Sequence, residues 1–364
     1  MRRLRLPGPA GGCLSPHAVL FLEVFDVSKS SFDPALAQPA AAPAAAEAAV
    51  AAVRPAGFPL ADYVRIARPD HWFKNIFMLP GIALAWVLTH STSPHLLLAI
   101  PVGIFSTCLI ASANYVINEW LDREFDRHHP AKKLRPSVAG HLSATTVYLE
   151  YALLMAAGLA LAAWISIQFL VLSAVLLLMG VLYNVQPFRS KDRVYLDVLS
   201  ESVNNPLRML LGWSIVISSA WPPSSILLAY WMGGAFLMAV KRYSEYRFIG
   251  DAAVAGRYRK SFQRYTEQSL LLSAFFYAIL SSFFLAVFLI KYRVEFILSF
   301  PVFALLFVWY LAIGMRPDSA AKDPEKIFSD PRFLAFSLFI GAFVTFLFFV
   351  DIPSLGFLLN RIEY

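Results

Sequence analysis

The sequence predicts an all-α fold, a polytopic bundle of transmembrane helices. Of its 364 residues, 58% are hydrophobic and only 15% are charged, whereas a soluble domain is roughly 45–50% apolar. The apolar residues form blocks of about 18 to 24, each long enough to cross a hydrocarbon layer of roughly 30 Å as a helix. Basic residues are also concentrated in alternate loops, which is typical of a membrane protein.

Two regions differ in composition. Residues 1–60 are predicted to form a poorly ordered tail, because they contain an Ala/Pro-rich tract at 34–52 and no regular amphipathic pattern. Residues 61–364 form the predicted transmembrane domain, with about nine spanning helices. The apolar blocks that predict them lie near 75–92, 95–117, 147–165, 167–185, 196–219, 224–241, 268–290, 294–314 and 332–352.

The charge of the loops between these spans predicts their orientation. Most Lys and Arg beyond the tail lie in the segments 61–74, 118–146, 186–195, 242–267 and 315–332, and the opposite loops hold almost none. Positively charged loops are retained in the cytoplasm, so we expect these segments on the cytoplasmic face. An odd number of spans then places Arg361 and the carboxyl end outside.

Acidic residues follow the second span and begin the fifth. Asn118, Asp122 and Asp126 recur every four residues, which on a helix places them along one face. Asp197 and Glu201 repeat this spacing. Carboxylate and amide oxygens suit a hard cation such as Mg²⁺. Any one of these acids could be a solvated cap or a local ion pair, but two such sets near hydrocarbon, where carboxylates are costly, favour a metal site.

Basic residues on the same predicted face complement the acids. Arg208 lies within an apolar span about two turns after Glu201, where an unpaired cation is unfavourable. Lys241 and Arg242 close the sixth span. Acids that hold Mg²⁺ and bases that hold phosphate suit a diphosphate leaving group, because both neutralise its developing charge. A prenyl or a phosphoribosyl diphosphate fits this chemistry.

Several other classes of protein are not supported. The chain contains neither GxxxxGK[ST] nor a GxGxxG after a strand, so no P-loop or dinucleotide fold is predicted. The net charge of +7 comes largely from loops beside apolar spans, and we therefore expect a membrane partner and no nucleic acid. Cys13 and Cys108 show no disulfide or zinc-binding pattern.

The motifs resemble those of the UbiA superfamily of intramembrane prenyltransferases. The first family motif has the form NDxxDxxxD, and the second is an acidic pair after a loop with Tyr and Lys. The matches to the first motif are Asn118, Glu119, Asp122 and Asp126, and those to the second are Tyr183, Lys191, Asp197 and Glu201. Glu119 and Glu201 stand where Asp is usual. The resemblance implies a UbiA-type helical bundle with a catalytic domain at 61–364.

Softer matches at 68–75, 114–136 and 236–245 are similar to one branch of the superfamily, the decaprenyl-phosphate phosphoribosyltransferases. His71 stands where Gln is common in that branch. This resemblance implies Mg²⁺-dependent transfer of 5-phosphoribose from phosphoribosyl diphosphate to a polyprenyl phosphate, with release of diphosphate. The reaction is expected at the cytoplasmic face of a bacterial plasma membrane, as a step of cell-wall biosynthesis.

The resemblance also implies roles for individual residues. The expected metal ligands are Asn118, Glu119, Asp122, Asp126, Asp197 and Glu201. Among these, Asp122, Asp126 and Asp197 are the expected catalytic residues. The expected substrate-binding residues are Lys74, Lys132, Lys133, Arg135, Tyr183, Lys191, Arg208, Lys241 and Arg242. The attacking lipid phosphate is already anionic at neutral pH, so no dedicated general base is needed.

Two alternative functions stay open. A UbiA-type prenyltransferase would move a prenyl group from its diphosphate to an aromatic or other small acceptor at the same metal site. The density of basic residues favours phosphoribosyl transfer, because both of its substrates are phosphorylated. An ion-coupled transporter would place acids deep within the spans and show inverted repeats, whereas these acids cluster at one face. The sequence leaves the prenyl chain length and the oligomeric state undetermined.

Overall fold

A computed structural model describes residues 59–90, 93–128, 132–139, 142–316 and 330–358. Every regular element within these ranges is a helix, which confirms the predicted all-α class. The predicted tail, except for its last two residues, lies outside the described residues. Arg361 and the carboxyl end lie outside them as well.

The longer helices form most of the bundle, and short 3-10 helices connect several of them. In chain order the α-helices are α1 (Pro59–Ile66), α2 (Leu79–Thr89), α3 (Leu96–Asp126), α4 (Pro136–Ala139), α5 (Ala144–Ile165), α6 (Ile167–Asn184), α7 (Leu196–Ser202), α8 (Asn204–Val216), α9 (Ser224–Ile249), α10 (Ala252–Tyr258), α11 (Glu267–Tyr292), α12 (Phe300–Gly314) and α13 (Pro331–Phe349). The 3-10 helices are Pro69–Met78, Lys132–Leu134, Ser190–Asp192, Lys260–Gln263, Val294–Ser299 and Pro353–Leu358.

Eight helical segments of the described chain are long and apolar enough to cross a membrane. The first runs from Leu60 to Thr89, so the predicted loop at 61–74 is largely helical. The predicted fifth span is divided between α7 and α8, which have only 7 and 13 residues. Pro206 stands in the first turn of α8, where its missing N–H costs no intrahelical hydrogen bond. Together with this broken span, the eight segments account for the nine predicted apolar blocks.

The two largest apolar clusters of the described residues hold most of the bundle together. Phe236 of α9 packs with Tyr277 of α11 and Ile313 of α12 in one cluster. The other joins α3, α6 and α8, and it includes the fully buried Phe169 and Leu211. Many large apolar side chains point outward instead, as expected for a lipid-facing surface.

The backbones of α2 and α8 are in direct contact. A Cβ added at Gly212 would lie 2.1 Å from the carbonyl oxygen of Met78, and one at Gly81 would lie 2.0 Å from that of Met209. Only glycine allows this separation. The contact holds the 3-10 helix Pro69–Met78 against α8, and so brings a part of the first span beside the acidic motifs.

Candidate active site

The first motif, at the end of α3, points in two directions. With about 100° between successive helical residues, Asn118 and Asp122 lie about 40° apart, whereas Asp126 lies only about 20° from Glu119. The two pairs therefore face different partners. The spacing predicts these three residues on one face of the helix. In the structure they lie on two adjacent faces.

Asn118 and Asp122 share the ammonium group of Lys191. Its Nζ lies 3.1 Å from Asn118 Oδ1 and 2.5 Å from Asp122 Oδ1. It also donates to Asn184 Oδ1 at 2.6 Å. Burial lowers the pKa of Lys191 to about 8, although the Asp122 carboxylate acts in the opposite direction. Arg189 is a second partner of Asp122, with its Nη2 2.8 Å from Oδ1.

Glu119 and Asp126 share Arg135, which comes from the segment before α4. Arg135 Nη1 donates to Asp126 Oδ2 at 2.5 Å, and its Nε lies 3.9 Å from Glu119 Oε2. Glu119 also accepts from Arg68 Nη2 at 2.8 Å and from Ser137 Oγ at 3.3 Å. Both carboxylates are buried, so they are positioned to hold basic side chains in place.

The second acidic pair differs in its access to the site. Asp197 is fully buried, and it accepts from Tyr265 Oη at 2.8 Å and from Ser261 Oγ at 3.1 Å. Glu201 lies one turn later and keeps 31% of its side chain exposed. It accepts from Tyr183 Oη at 2.8 Å. Of the two, only Glu201 is open to a ligand.

Arg242 connects the second acidic pair to a further carboxylate that sequence reasoning did not single out. It lies 2.6 Å from Glu201 Oε2, 3.5 Å from Asp197 Oδ2 and 3.2 Å from Glu245 Oε2. Glu245 in turn accepts from Lys132 Nζ at 3.0 Å. The chain of contacts therefore reaches from α7 through α9 to the loop after α3.

Three of the predicted substrate-binding cations form no ion pair with a carboxylate among the described residues, namely Arg208, Lys241 and Lys133. Arg208 is buried, and it donates to Asn75 Oδ1 at 2.9 Å and to a backbone oxygen. Lys241 is half-buried and makes no hydrogen bond or ion pair within the described chain. Lys133 is exposed and is likewise unpaired there. Lys74 contacts His71 Nδ1 at 3.2 Å.

The loop from α9 to α11 supplies functional candidates that the sequence analysis missed. Tyr258, Arg259, Ser261 and Tyr265 all reach toward the acidic residues from α10 and the following 3-10 helix. The available signal was compositional, since basic and aromatic residues make up most of positions 257–265. Ser137 and Asn184 were missed as well, and Arg68, Arg189 and Glu245 were not assigned to the site.

Amide oxygens contribute more than carboxylates to the set of oxygens that would fit a metal ion at this site. In the part of the chain that the structure describes, no three His, Cys, Asp or Glu side chains are grouped closely enough to hold one, because the carboxylates are turned toward basic partners. An amide-rich set is present instead. Three oxygens from Asn118, Asp122 and Asn184 surround the Lys191 ammonium, and oxygen donors of this kind fit a hard cation.

Comparison with known proteins decides the family. The sequence profile of the UbiA prenyltransferase family matches residues 75–340. The chain belongs to the UbiA prenyltransferase family. It is 28% identical over 215 residues to the decaprenyl-phosphate phosphoribosyltransferase of Mycolicibacterium smegmatis. That alignment covers 58% of this chain and 64% of the relative. The namesake from Corynebacterium glutamicum is 29% identical over 215 residues, covering 57% and 61%. The chain therefore spans less than two thirds of the length of these two relatives.

Solved structures agree on the fold of this UbiA family member. A UbiA homolog from Archaeoglobus fulgidus, bound to DMAPP and Mg²⁺, aligns with a TM-score of 0.59 at 23% identity. The alignment covers 79% of this chain and 98% of that one. The predicted UbiA-type bundle is thereby confirmed, and the chain is a member of a transferase family with membrane-spanning helices.

Proposed function

We propose that this UbiA family member transfers 5-phosphoribose from phosphoribosyl diphosphate to a polyprenyl phosphate and releases diphosphate. The reaction is Mg²⁺-dependent and takes place at the cytoplasmic face of a bacterial plasma membrane. The observation that carries the proposal is an excess of cations over carboxylates around the two acidic motifs. The names of the relatives from Mycolicibacterium smegmatis and Corynebacterium glutamicum support the same reaction.

The excess of cations matters because the two candidate reactions differ in charge. Prenyl transfer to an aromatic acceptor brings one phosphorylated substrate to the site, whereas phosphoribosyl transfer brings two. Cations already paired with carboxylates balance those acids. Arg208 and Lys241 are additional, since neither forms a hydrogen bond or ion pair with a carboxylate among the described residues. An unpaired cation near hydrocarbon is costly, and a second phosphate group would compensate this cost.

The diphosphate is expected beside the first motif. Asn118, Asp122 and Glu201 are the accessible oxygen donors that would hold Mg²⁺, which when bound would stabilise the charge of the departing diphosphate. Arg189 and Lys191 lie against the same carboxylate and would donate to diphosphate oxygens. Asp126, Asp197 and Glu119 are buried against basic or hydroxyl partners, so we assign them to positioning.

The acceptor phosphate is expected closer to the membrane-spanning part of the bundle. Lys241 lies in α9 one residue before Arg242, and the charge of Lys74 acts on it from the first span. A lipid phosphate held there would keep its prenyl chain among the apolar helices. Its oxygen attacks C1 of the ribose as the bond from C1 to the diphosphate oxygen breaks. The diphosphate leaves with the electron pair, and no proton is transferred in the step.

A label-transfer assay tests the proposal. Purified protein receives phosphoribosyl diphosphate labelled in the ribose together with polyprenyl phosphate, with and without Mg²⁺. We expect label in the lipid phase only with Mg²⁺, and we expect Asp122→Ala to abolish it. Lys241→Met should raise the KM for the polyprenyl phosphate more than the KM for the donor. The control is Lys291→Met. Lys291 lies in the last turn of α11, at the end of that helix away from the acidic motifs.

A parallel reaction offers a prenyl diphosphate and an aromatic acceptor to the same preparation. Alkylation of that acceptor without transfer of ribose would establish the prenyltransferase alternative. Failure of both reactions in a folded preparation supplied with Mg²⁺ would refute both enzyme functions and would favour the ion-coupled transporter.

A further inference from the structure

We propose that the Lys191 ammonium occupies the metal site as its counter-cation, and that a divalent cation replaces it there when a diphosphate binds. Asn184 then becomes an oxygen ligand beside Asn118 and Asp122. The inference rests on the diphosphate chemistry of the proposed function, but it is independent of which diphosphate is the donor. It makes metal and diphosphate binding cooperative through a single side chain.

The geometry around the ammonium is that of a small cation site. Lys191 Nζ has three N–H donors, and three side-chain oxygens receive them: Asp122 Oδ1 at 2.5 Å, Asn184 Oδ1 at 2.6 Å and Asn118 Oδ1 at 3.1 Å. The side chain of Lys191 is only 4% exposed. Two of the oxygens come from α3 and one from the last residue of α6, so the site is assembled from separate helices.

The third oxygen is held in place by its own hydrogen bonds. Asn184 Nδ2 donates to the carbonyl oxygen of Gly180 at 2.8 Å, which directs Oδ1 toward Lys191. The backbone oxygen of Asn184 accepts from Arg189 Nη1 at 2.9 Å. The residue is buried. Its amide is thus fixed before any ligand arrives, as a metal ligand should be.

Charge balance explains why a metal ion alone is a poor competitor. Asp122 is the one carboxylate of this set, and Lys191 and Arg189 already neutralise it. A divalent cation that entered alone would add charge next to two cations. A diphosphate supplies several negative charges, and it offers the Lys191 ammonium an oxygen to donate to. The ammonium can then leave the carboxylate without losing its compensation.

Lys191 is suited to such a move. It lies in the short 3-10 helix Ser190–Asp192, and its ammonium is carried on four flexible methylene groups. A change of side-chain rotamer re-aims the charge while the backbone stays in place. Binding of the metal ion and binding of the diphosphate are coupled, because both favour the same position of the Lys191 side chain.

Binding of Mn²⁺ to the purified full chain, followed by electron paramagnetic resonance, tests the inference without turnover. Titrations are run with and without inorganic pyrophosphate and are corrected for Mn²⁺ bound by pyrophosphate in solution. For the wild type we expect weak binding alone and binding about tenfold tighter with pyrophosphate, within the usual range of coupling between two sites. Lys191→Met should bind Mn²⁺ alone about tenfold more tightly and lose most of the pyrophosphate effect.

Further variants separate charge from shape. Lys191→Arg keeps the charge and should leave Mn²⁺ binding weak in the absence of pyrophosphate. Lys191→Gln removes the charge but keeps a donor, and should behave like Lys191→Met. Asn184→Leu should weaken Mn²⁺ binding under both conditions. Lys291→Met, about 36 Å along α11 from its first turn, should match the wild type.

Mn²⁺ affinity in Lys191→Met and Lys191→Gln equal to or below that of the wild type would overturn the inference. So would an unchanged pyrophosphate effect in both. The two proposals fail separately. Coupling that depends on Lys191 in a protein that transfers only prenyl groups would refute the phosphoribosyl assignment alone. Ribose transfer by a protein without that coupling would refute only this inference.

Discussion

Replacement of Arg242 by methionine should be among the most destabilising substitutions at this site. The guanidinium is buried between three carboxylates, those of Glu201 at 2.6 Å, Glu245 at 3.2 Å and Asp197 at 3.5 Å. It also donates to Tyr183 Oη at 3.3 Å. Methionine fills much of the same space but provides no charge, so the variant leaves three acids facing one another.

The expected cost follows from the loss of one partner in a buried ion pair. Such a loss typically costs about 3–5 kcal/mol, because the remaining charge is buried without compensation. Asp197 is fully buried and Glu245 nearly so, and Lys132 still pairs with Glu245. These partners keep the expected loss of stability within that range. For a chain of this size the loss corresponds to a fall in Tm of about 4–7 °C.

Thermal unfolding in detergent, followed by the loss of the monodisperse elution peak, measures this effect. The matched control is Arg264→Met, since Arg264 is an exposed arginine in the nearby loop. In the double variant Arg242→Met/Glu201→Gln the acid nearest to Arg242, at 2.6 Å, is neutralised, and part of the lost stability should return. The reasoning would be refuted if Arg242→Met lowered Tm no more than Arg264→Met, or if the second substitution made the protein still less stable.

Three further outcomes are expected. Gly212→Val should sharply reduce the yield of folded protein in membranes, because its Cβ would lie 2.1 Å from a backbone oxygen. Gly341→Ala is the control, since a Cβ at Gly341 would have no atom within 4 Å. Equal yields would contradict the close packing of α2 on α8. Burial lowers the pKa of Lys132, but Glu245 and Tyr258 together outweigh it and the net shift is upward. Stabilisation by a group with a raised pKa is complete below its ordinary value of about 10.4 and is lost only above it, so the Tm difference between wild type and Lys132→Met should stay constant from about pH 6 to about pH 9; a decline by pH 9 would exclude this ion pair. Tyr265→Phe removes the hydroxyl that donates to the buried carboxylate of the second motif at 2.8 Å, and should lower the free energy of unfolding by about 1–3 kcal/mol; denaturant titration that shows no loss would place that carboxylate elsewhere.

The broken fifth span shows where sequence patterns stop being sufficient. Hydropathy predicts one apolar block at 196–219, and the block exists, but it is divided into α7 and α8. A hydrophobic average does not register a helix boundary at Val203 or the restart before Pro206. The division matters for the site, because α7 alone carries the second acidic pair.

The first motif shows a similar limit. Four-residue spacing predicts a shared face for Asn118, Asp122 and Asp126, yet a real helix advances by 100° per residue and the drift over eight residues is about 80°. Asp126 consequently joins Glu119 around Arg135, and Asn118 stays with Asp122 around Lys191. Whether the predicted metal ligands bind Mg²⁺ stays a prediction that Mn²⁺ titration can test.

The sequence by itself determined the properties that arise from local composition. Apolar length predicts spanning helices because the hydrocarbon layer has a nearly constant thickness, and the acidic motifs with their Tyr and Lys predicted the UbiA family before any comparison. Only the tertiary structure decided which acid meets which base. Lys132 pairs with Glu245 across 113 positions, and Arg208 with Asn75 across 133. Such contacts depend on how helices pack, and no local pattern in the chain specifies them.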